Sequence, residues 1–162
     1  TKFIIILKRV ILKRTYDLNY ILIAIRGTLK DFQLAYFLNN CSLFFFKRGE
    51  NDITYNTKDG ILSFSTFSDT DSDHKKDSFL IKNRTNYNST IANNNLFFQH
   101  SINKSMFLIP ELKEFDYLLK LEGVWHQEEL TYIKKYLRSI NNIESESSVD
   151  INRIKSINNL VF

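Results

Sequence analysis

The stretch Tyr20–Gly27, with the sequence YILIAIRG, constrains the fold more than any other part of the chain. It is a short run of aliphatic and β-branched residues, which is typical of a strand that is buried over much of its surface. Thr28 follows, and Asp31 lies three residues further on. This spacing suits Thr28 as an N-cap, with the shorter aspartate in the place of the glutamate of a capping box. Apolar residues then recur at helical spacing. The sequence therefore predicts a strand, a tight turn and a helix near 28–40.

Residues 41–82 have the features of antiparallel strands. CSLFFFKR is aromatic and strand-like, and Asp59-Gly60 is a strong hairpin signal. ILSFSTFSD alternates between apolar and polar residues. DSFLIKNR follows it after an acidic loop and also has strand character, so these two segments are predicted to pair. The next segment, 83–104, is rich in Asn, Ser and Thr and has no clear periodicity, which predicts an exposed loop.

The last third of the chain predicts two more strands and a second helix. MFLI and FDYLLKLEG, on either side of Pro110, both have strand character. An apolar stripe, with glutamates early and basic residues late, predicts a helix near 126–141. ESESS is predicted as a polar link, and the apolar residues after it as a docked terminus. Together the elements predict a single α+β domain over 1–162, with a mainly antiparallel sheet of five to seven strands packed by two helices.

The single cysteine, Cys41, excludes an internal disulfide and a multi-cysteine metal site in this chain. We interpret it as a small apolar packing residue, which is compatible with a reducing, cytoplasmic setting. The longest apolar run near the start is Phe3–Leu7, which is broken by Lys8 and Arg9 and is too short to span a bilayer. No small-residue cleavage site follows it, so we expect neither a signal peptide nor a membrane anchor.

The acidic loop DTDSDHKKD comes nearest to a metal motif. Asp69, Asp71 and Asp73 keep the alternate spacing of a calcium loop. His74 stands where that loop needs glycine, however, and Leu80 stands where it needs a bidentate glutamate. The chain also lacks a glycine-rich phosphate loop. The sequence therefore predicts no metal site and no cofactor.

The formal net charge of +4 and the pI of about 9.1 raise the possibility of nucleic-acid binding. A composition rich in Lys, Asn, Ile and Phe explains the same charge, because most basic residues are scattered among 18 acidic ones. The dense basic spots are Lys8, Arg9, Lys13 and Arg14, and the pair Lys47-Arg48. A patch of this kind would contact RNA phosphates.

The segment MFLIPELKEFDYLLKLEG contains the only proline of the chain. Pro110 ends a strand and sets the first corner of a turn, and Glu111 is placed to accept hydrogen bonds from free backbone N–H groups. Asp116 and Tyr117 point to opposite faces of the strand that follows. Glu111 and Asp116 could work as an acid/base pair if burial separated their pKa values. The alternative is that both are structural.

Within this segment, IPELKEFDY resembles the signature of a bacterial family named IPExxxVDY after its motif. The matching positions are Ile109, Pro110, Glu111, Asp116 and Tyr117, and Phe115 stands where the signature has valine. YILIAIRGTLKDFQLAYFLN, SFSTF and IKSINNLVF extend the resemblance over nearly the whole chain from about Tyr20. The resemblance implies no activity, because the family is named only for its motif.

Three functional hypotheses follow from these patterns. The first is a non-enzymatic cytoplasmic interaction or adaptor protein whose partner is another protein, because a two-layer fold leaves one sheet face or an edge available. The second is an RNA-binding accessory protein that uses the basic spots. The third is a hydrolase or nuclease centred on Glu111 and Asp116.

Overall fold

In a computed structural model of the chain, the structure describes residues 19–161 apart from 59, 72, 74 and 91–100. The two helices are α1 (Asp31–Asn39) and α2 (Gln127–Ser139). The strands are β1 (Tyr20–Gly27), β2 (Lys47–Arg48), β3 (Ile53–Thr57), β4 (Gly60–Phe64), β5 (Thr66–Asp71), β6 (Lys76–Lys82), β7 (Arg84–Thr90), β8 (Ser101–Phe107), β9 (Tyr117–Glu122) and β10 (Ile143–Val149). Short 3₁₀ helices span Pro110–Leu112, Ile151–Arg153 and Ile157–Leu160.

Six of the strands form one antiparallel sheet in the order β10-β1-β9-β6-β5-β2. Two antiparallel ribbons, β3–β4 and β7–β8, stand beside it. The predicted pairing of ILSFSTFSD with DSFLIKNR is confirmed only for its second half, as β5–β6, because residues 61–64 lie in β4 and pair with β3. The hairpin signalled by Asp59-Gly60 is confirmed as β3–β4. The α+β prediction, with an antiparallel sheet and two helices, is therefore confirmed.

Both faces of the large sheet are covered. On one face, α1 and α2 pack on the sheet through a cluster that includes Ile23, Ile25, Leu34, Leu38, Leu119, Ile133 and Leu137. On the other face, the β3–β4 ribbon and the C-terminal 3₁₀ helices pack through Leu22, Ala24, Leu62, Phe64, Leu118, Ile157 and Leu160. A face or an edge of the sheet was expected to be available; the described residues leave no open face, but β10 forms an edge. The central strands carry apolar side chains on both sides because both sides are buried.

The two helices begin with the same backbone device. The N–H of Lys30 donates to Gln33 Oε1 over 3.0 Å, and the N–H of His126 donates to Glu129 Oε2 over 2.9 Å. In each case the third helical residue reaches back to a free N–H group before the first turn. Thr28, the predicted N-cap, instead uses its N–H to bond Asn142 O, so α1 begins later than expected.

Two segments differ from the sequence prediction. Segment 83–104 was predicted as an exposed loop, but it contributes β7 and most of β8, which pair from Arg84↔Phe107 to Thr90↔Ser101. The middle of that segment, 91–100, lies outside the described residues. ESESS was predicted as a polar link, but it lies inside β10, at the edge of the large sheet. In both cases backbone pairing forms the strand without an apolar side-chain pattern.

Candidate functional site

The motif segment 109–117 does not connect two paired strands. β8 pairs with β7, and β9 pairs with β1 and β6, so the strands on either side of Pro110 do not pair with each other. Pro110 opens a 3₁₀ helix instead of a tight hairpin turn. Proline suits this position, because the first residue of a helix needs no hydrogen-bonded N–H and its φ is already set.

A fully buried asparagine, Asn83, organises this segment. Its Oδ1 accepts from the N–H of Ile109 over 2.9 Å, and its Nδ2 donates to the carbonyls of Leu112 and Phe115, each over 2.9 Å. Its backbone N–H donates to Asp116 O. One side chain therefore satisfies three backbone groups at both ends of the 3₁₀ helix. Sequence reasoning missed Asn83, because it precedes an Asn-rich stretch and looked like part of it.

Glu111 ties the motif to the C-terminal segment. Its Oε1 accepts from the N–H groups of Lys155 and Ser156, over 2.9 and 3.0 Å, and from the Ser156 hydroxyl over 3.3 Å. Desolvation raises the pKa of Glu111, but these hydrogen bonds and one from its own backbone outweigh it, so the pKa lies below its usual value. Glu111 was predicted to accept N–H groups that the turn leaves free, but the N–H groups that it accepts from Lys155 and Ser156 belong to a distant segment.

Asp116 and Tyr117 hold the end of β1 and the loop before α1. Asp116 Oδ2 accepts from the N–H of Gly27 over 3.1 Å, and the Tyr117 hydroxyl donates to Leu29 O over 2.6 Å. Burial, with the nearby charges of Asp31 and Asp116, raises the pKa of Tyr117. Glu111 and Asp116 therefore contact different parts of the chain and share no hydrogen-bond partner. Each of these hydrogen bonds joins a motif side chain to a backbone group of another segment, which is a structural role.

Asp116 and Tyr117 also line a small depression of about 480 Å³. Four of its charged groups form two pairs: Arg26 contacts Glu144 over 2.7 Å, and Arg84 lies 3.9 Å from Asp116. This arrangement has neither a nucleophile beside a base nor a split pair of carboxylates.

The basic residues proposed for RNA binding are not brought together in the described structure. Lys8, Arg9, Lys13 and Arg14 lie outside the described residues. Arg48 bonds Asp52 over 2.6 Å and Thr66 O over 2.9 Å, and its guanidinium lies over the Phe67 ring. Its neighbour Lys47 lies in a cleft whose other charged groups are mostly acidic.

Lys120, in the middle of β9, is buried, with only 3% of its surface exposed. Its ammonium group donates to Leu160 O over 2.9 Å and to Glu122 over 2.6 Å, and it lies 4.8 and 5.3 Å from the ring centroids of Tyr20 and Phe79. Burial and the charge of Glu122 raise the pKa of Tyr20 to about 12. The sequence signal for this burial is the position of Lys120 between Leu119 and Leu121, in a strand with apolar residues on both faces.

A cleft of about 830 Å³, which we call the acidic cleft, lies beside the end of β5 and the start of α2. It is lined by the carboxylates of Asp69, Asp71, Asp73 and Glu129, by Lys47 and Lys76, and by the aromatic side chains of Phe45 and Trp125. These four acidic and two basic groups leave the described lining negative, although the whole chain is positive. Three of the carboxylates come from the acidic loop region that sequence reasoning treated as a solvated hairpin tip.

The acidic cleft already holds one ammonium group. Lys76 Nζ lies 2.7 and 2.9 Å from the two carboxylate oxygens of Glu129 and 4.5 Å from the ring centroid of Trp125. Desolvation raises the pKa of Glu129, but Lys76 and the N–H of His126 outweigh it and lower the pKa overall. A carboxylate and an aromatic ring face are the two groups that stabilise an organic cation.

Four large aromatic side chains are exposed in α1, in the segment after it and in α2. Phe32, Tyr36, Phe45 and Tyr132, which we call the aromatic surface, have exposed fractions of 56%, 64%, 69% and 46%. Phe32 and Tyr36 are one helical turn apart on α1, so they lie on the same side of that helix. Tyr132 stacks on Tyr136, whose hydroxyl bonds α1 at Phe37 O over 2.9 Å. Phe45 belongs to both the aromatic surface and the acidic cleft.

Comparison with protein-family models, with curated proteins and with solved structures gave no match for this chain. None of the helices in the described part of the chain is long and apolar enough to cross a membrane. Among the described residues, no group of three or more His, Cys, Asp or Glu side chains is arranged to hold a metal ion.

Proposed function

We propose that the protein is a non-enzymatic interaction or adaptor protein that binds another protein through its aromatic surface. The observation that carries this proposal is the exposure of Phe32, Tyr36, Phe45 and Tyr132. An exposed group of large apolar side chains costs solubility and is found where partners bind. Tyrosine and phenylalanine also bring large contact areas at a low cost in side-chain entropy.

The roles of the motif carboxylates support a binding function over a catalytic one. Glu111 and Asp116 accept hydrogen bonds from backbone N–H groups in different parts of the fold. The hydrogen bonds to Glu111 lower its pKa, so this carboxylate stays ionised and is held in place. Such a group stabilises the fold without being available as a general acid near neutral pH.

Affinity capture from a native lysate tests the proposal, with three forms of the protein as bait. Phe32→Ser combined with Tyr36→Ser removes two members of the aromatic surface. Ile61→Ser is the matched control, because Ile61 is 71% exposed and lies on the β3–β4 ribbon, which covers the opposite face of the sheet. We expect a protein that the wild type and I61S capture and that the double variant loses at least tenfold.

Two outcomes would overturn the proposal. One is that no protein is captured above background by the wild type. The other is that every captured protein is retained equally by the double variant and by I61S, which would mean that the aromatic surface takes no part. Matching thermal unfolding curves for the three baits ensure that any loss reflects the surface and not the fold.

We also propose that the chain belongs to the IPExxxVDY family, which its motif resembles. Support comes from the contacts of the motif residues, since Ile109, Glu111, Asp116 and Tyr117 each make a hydrogen bond to a distant segment. The RNA-binding hypothesis remains a prediction for residues 8–14. The negative lining around Lys47 does not favour it, because phosphates are repelled there.

A further inference from the structure

The carboxylates of the acidic cleft follow the repeat of a strand. Asp69 and Asp71 are alternate residues of β5, so they lie on one face of it, and their partners on β6 are Ser78 and Lys76. Two residues of a strand span about 6.8 Å. The side chains on one face of an extended peptide recur at the same distance. The floor of the cleft therefore presents negative charge at the spacing of alternate residues in an extended chain.

The outer side of this floor is open. Pairing of β5 with β2 covers only Phe67 and Ser68, so within the described structure Asp69–Asp71 have a strand neighbour, β6, on one side only. Phe45, which is 69% exposed, stands over this side, and its N–H donates to Asp69 Oδ2 over 3.0 Å. An incoming segment would therefore meet an aromatic wall next to the row of carboxylates.

From this geometry we propose that the acidic cleft binds an extended segment of a partner protein that carries lysine or arginine at alternate positions. The cationic groups meet the carboxylates, and their aliphatic stems pack on Phe45 and Trp125. Lys76 shows that this lining accepts an ammonium group between Glu129 and Trp125. The proposal rests on the proposed function in that it names the kind of partner, but it uses a different set of side chains apart from Phe45.

Charge complementarity favours a basic peptide segment in the acidic cleft. The described lining carries four acidic and two basic groups, so a nucleic acid or an acidic peptide is repelled. A second copy of this chain would have to bring a basic extended edge. In the large sheet of the described structure, the long edge strand, β10, carries Glu144 and Glu146 instead.

The test measures binding of fluorescein-labelled synthetic peptides by fluorescence anisotropy at low and moderate salt. The probe is an eight-residue peptide that alternates valine and lysine. A peptide of the same composition, with four valines followed by four lysines, has the same charge but the wrong spacing. The protein variants are Asp69→Asn with Asp71→Asn, which keeps an acceptor oxygen for the Phe45 N–H, and Glu114→Gln with Glu144→Gln, which removes the same charge from exposed positions elsewhere.

We expect the alternating peptide to bind at least tenfold more tightly than the block peptide. D69N/D71N should weaken that binding at least tenfold, and E114Q/E144Q should change it less than twofold. Equal loss in the two double variants would show that bulk charge attracts the peptide, and equal binding of the two peptides would exclude recognition of the spacing. Either result overturns the proposal, as does the absence of binding at low salt.

Sedimentation velocity on the unliganded protein tests whether a second copy of the chain occupies the acidic cleft. If the protein dimerises and D69N/D71N abolishes the dimer, a second copy fills the cleft and the proposal is wrong. The proposed function has a separate test, because the capture experiment uses Phe32 and Tyr36. The two can therefore fail independently.

Discussion

Asn83 holds the motif segment in place, and its replacement should be among the most damaging single changes in the chain. Asn83→Ala leaves three backbone groups without their partners: the N–H of Ile109 and the carbonyls of Leu112 and Phe115. A buried unsatisfied group costs about 1–3 kcal/mol. Ile109 is fully buried, whereas Leu112 and Phe115 are only partly buried and can gain water. We therefore expect the free energy of unfolding to fall by about 3–5 kcal/mol.

Urea unfolding followed by the fluorescence of Trp125, the only tryptophan, measures this loss. With a slope of about 2 kcal/mol per molar urea, the midpoint should fall by roughly 1.5–2.5 M. Asn86→Ala is the matched control, because Asn86 is exposed and accepts only from the Ser105 hydroxyl, so its loss should cost about 0.5 kcal/mol or less. If N83A costs no more than N86A, Asn83 does not organise the segment.

Asn83→Asp separates the hydrogen bonds of Asn83 from its volume. The new carboxylate would face the carbonyls of Leu112 and Phe115, to which Asn83 now donates, so burial and these dipoles raise its folded pKa above the unfolded value of about 3.9. A raised pKa contributes stability below the unfolded pKa, and this contribution is lost as pH rises through the folded pKa. The stability deficit of N83D relative to the wild type should therefore shrink as pH falls from 8 to 4. A deficit that stays constant over this range would refute the reasoning.

Three further changes test other contacts by the same unfolding assay. Glu111→Gln should cost about 1 kcal/mol at pH 7, because the group is exposed and screened. Its native pKa is lowered, so this contribution is present above the unfolded pKa and is lost as pH falls through the native one, and the gap to the wild type should close in acid. A stability difference between E111Q and the wild type that stays the same at low pH would contradict this reasoning. Tyr117→Phe should cost about 1–2 kcal/mol, because Leu29 O loses its buried donor, and a cost near zero would mean that water replaces the hydroxyl. Lys120→Met should cost about 1–3 kcal/mol and speed amide hydrogen exchange near Leu160 more than in α2; uniform acceleration would contradict a local role.

The elements with a strong apolar pattern could be predicted from sequence. YILIAIRG became β1, and the apolar stripe of the second helix placed it near 126–141, close to the observed α2 (Gln127–Ser139). Each of these segments carries its own burial signal, because one set of side chains faces the core. The strands β7 and β10 were missed because their residues are polar and their pairing depends on partners far away in the sequence.

The functional surfaces were harder to predict than the fold. Asp69, Asp71 and Asp73 were recognised as a group, but only the fold places them opposite Phe45 and Trp125. The exposure of Phe32 and Tyr36 could not be predicted either, because an aromatic residue in a helix usually indicates core. Tertiary contacts decide which apolar residues remain outside.

The position of β1 in the sheet has a consequence for how the chain is made. β1 is among the first elements of the described chain, yet its two neighbours are β9 and β10, which come from the last third. A ribosome therefore releases YILIAIRG long before either partner exists. Contacts between such distant segments pay a large loop-closure entropy and slow folding. Until β9 and β10 are synthesised, both edges of this apolar strand stay unpaired, and aggregation or chaperone binding would occur in that interval. This early strand is therefore one of the last to be enclosed.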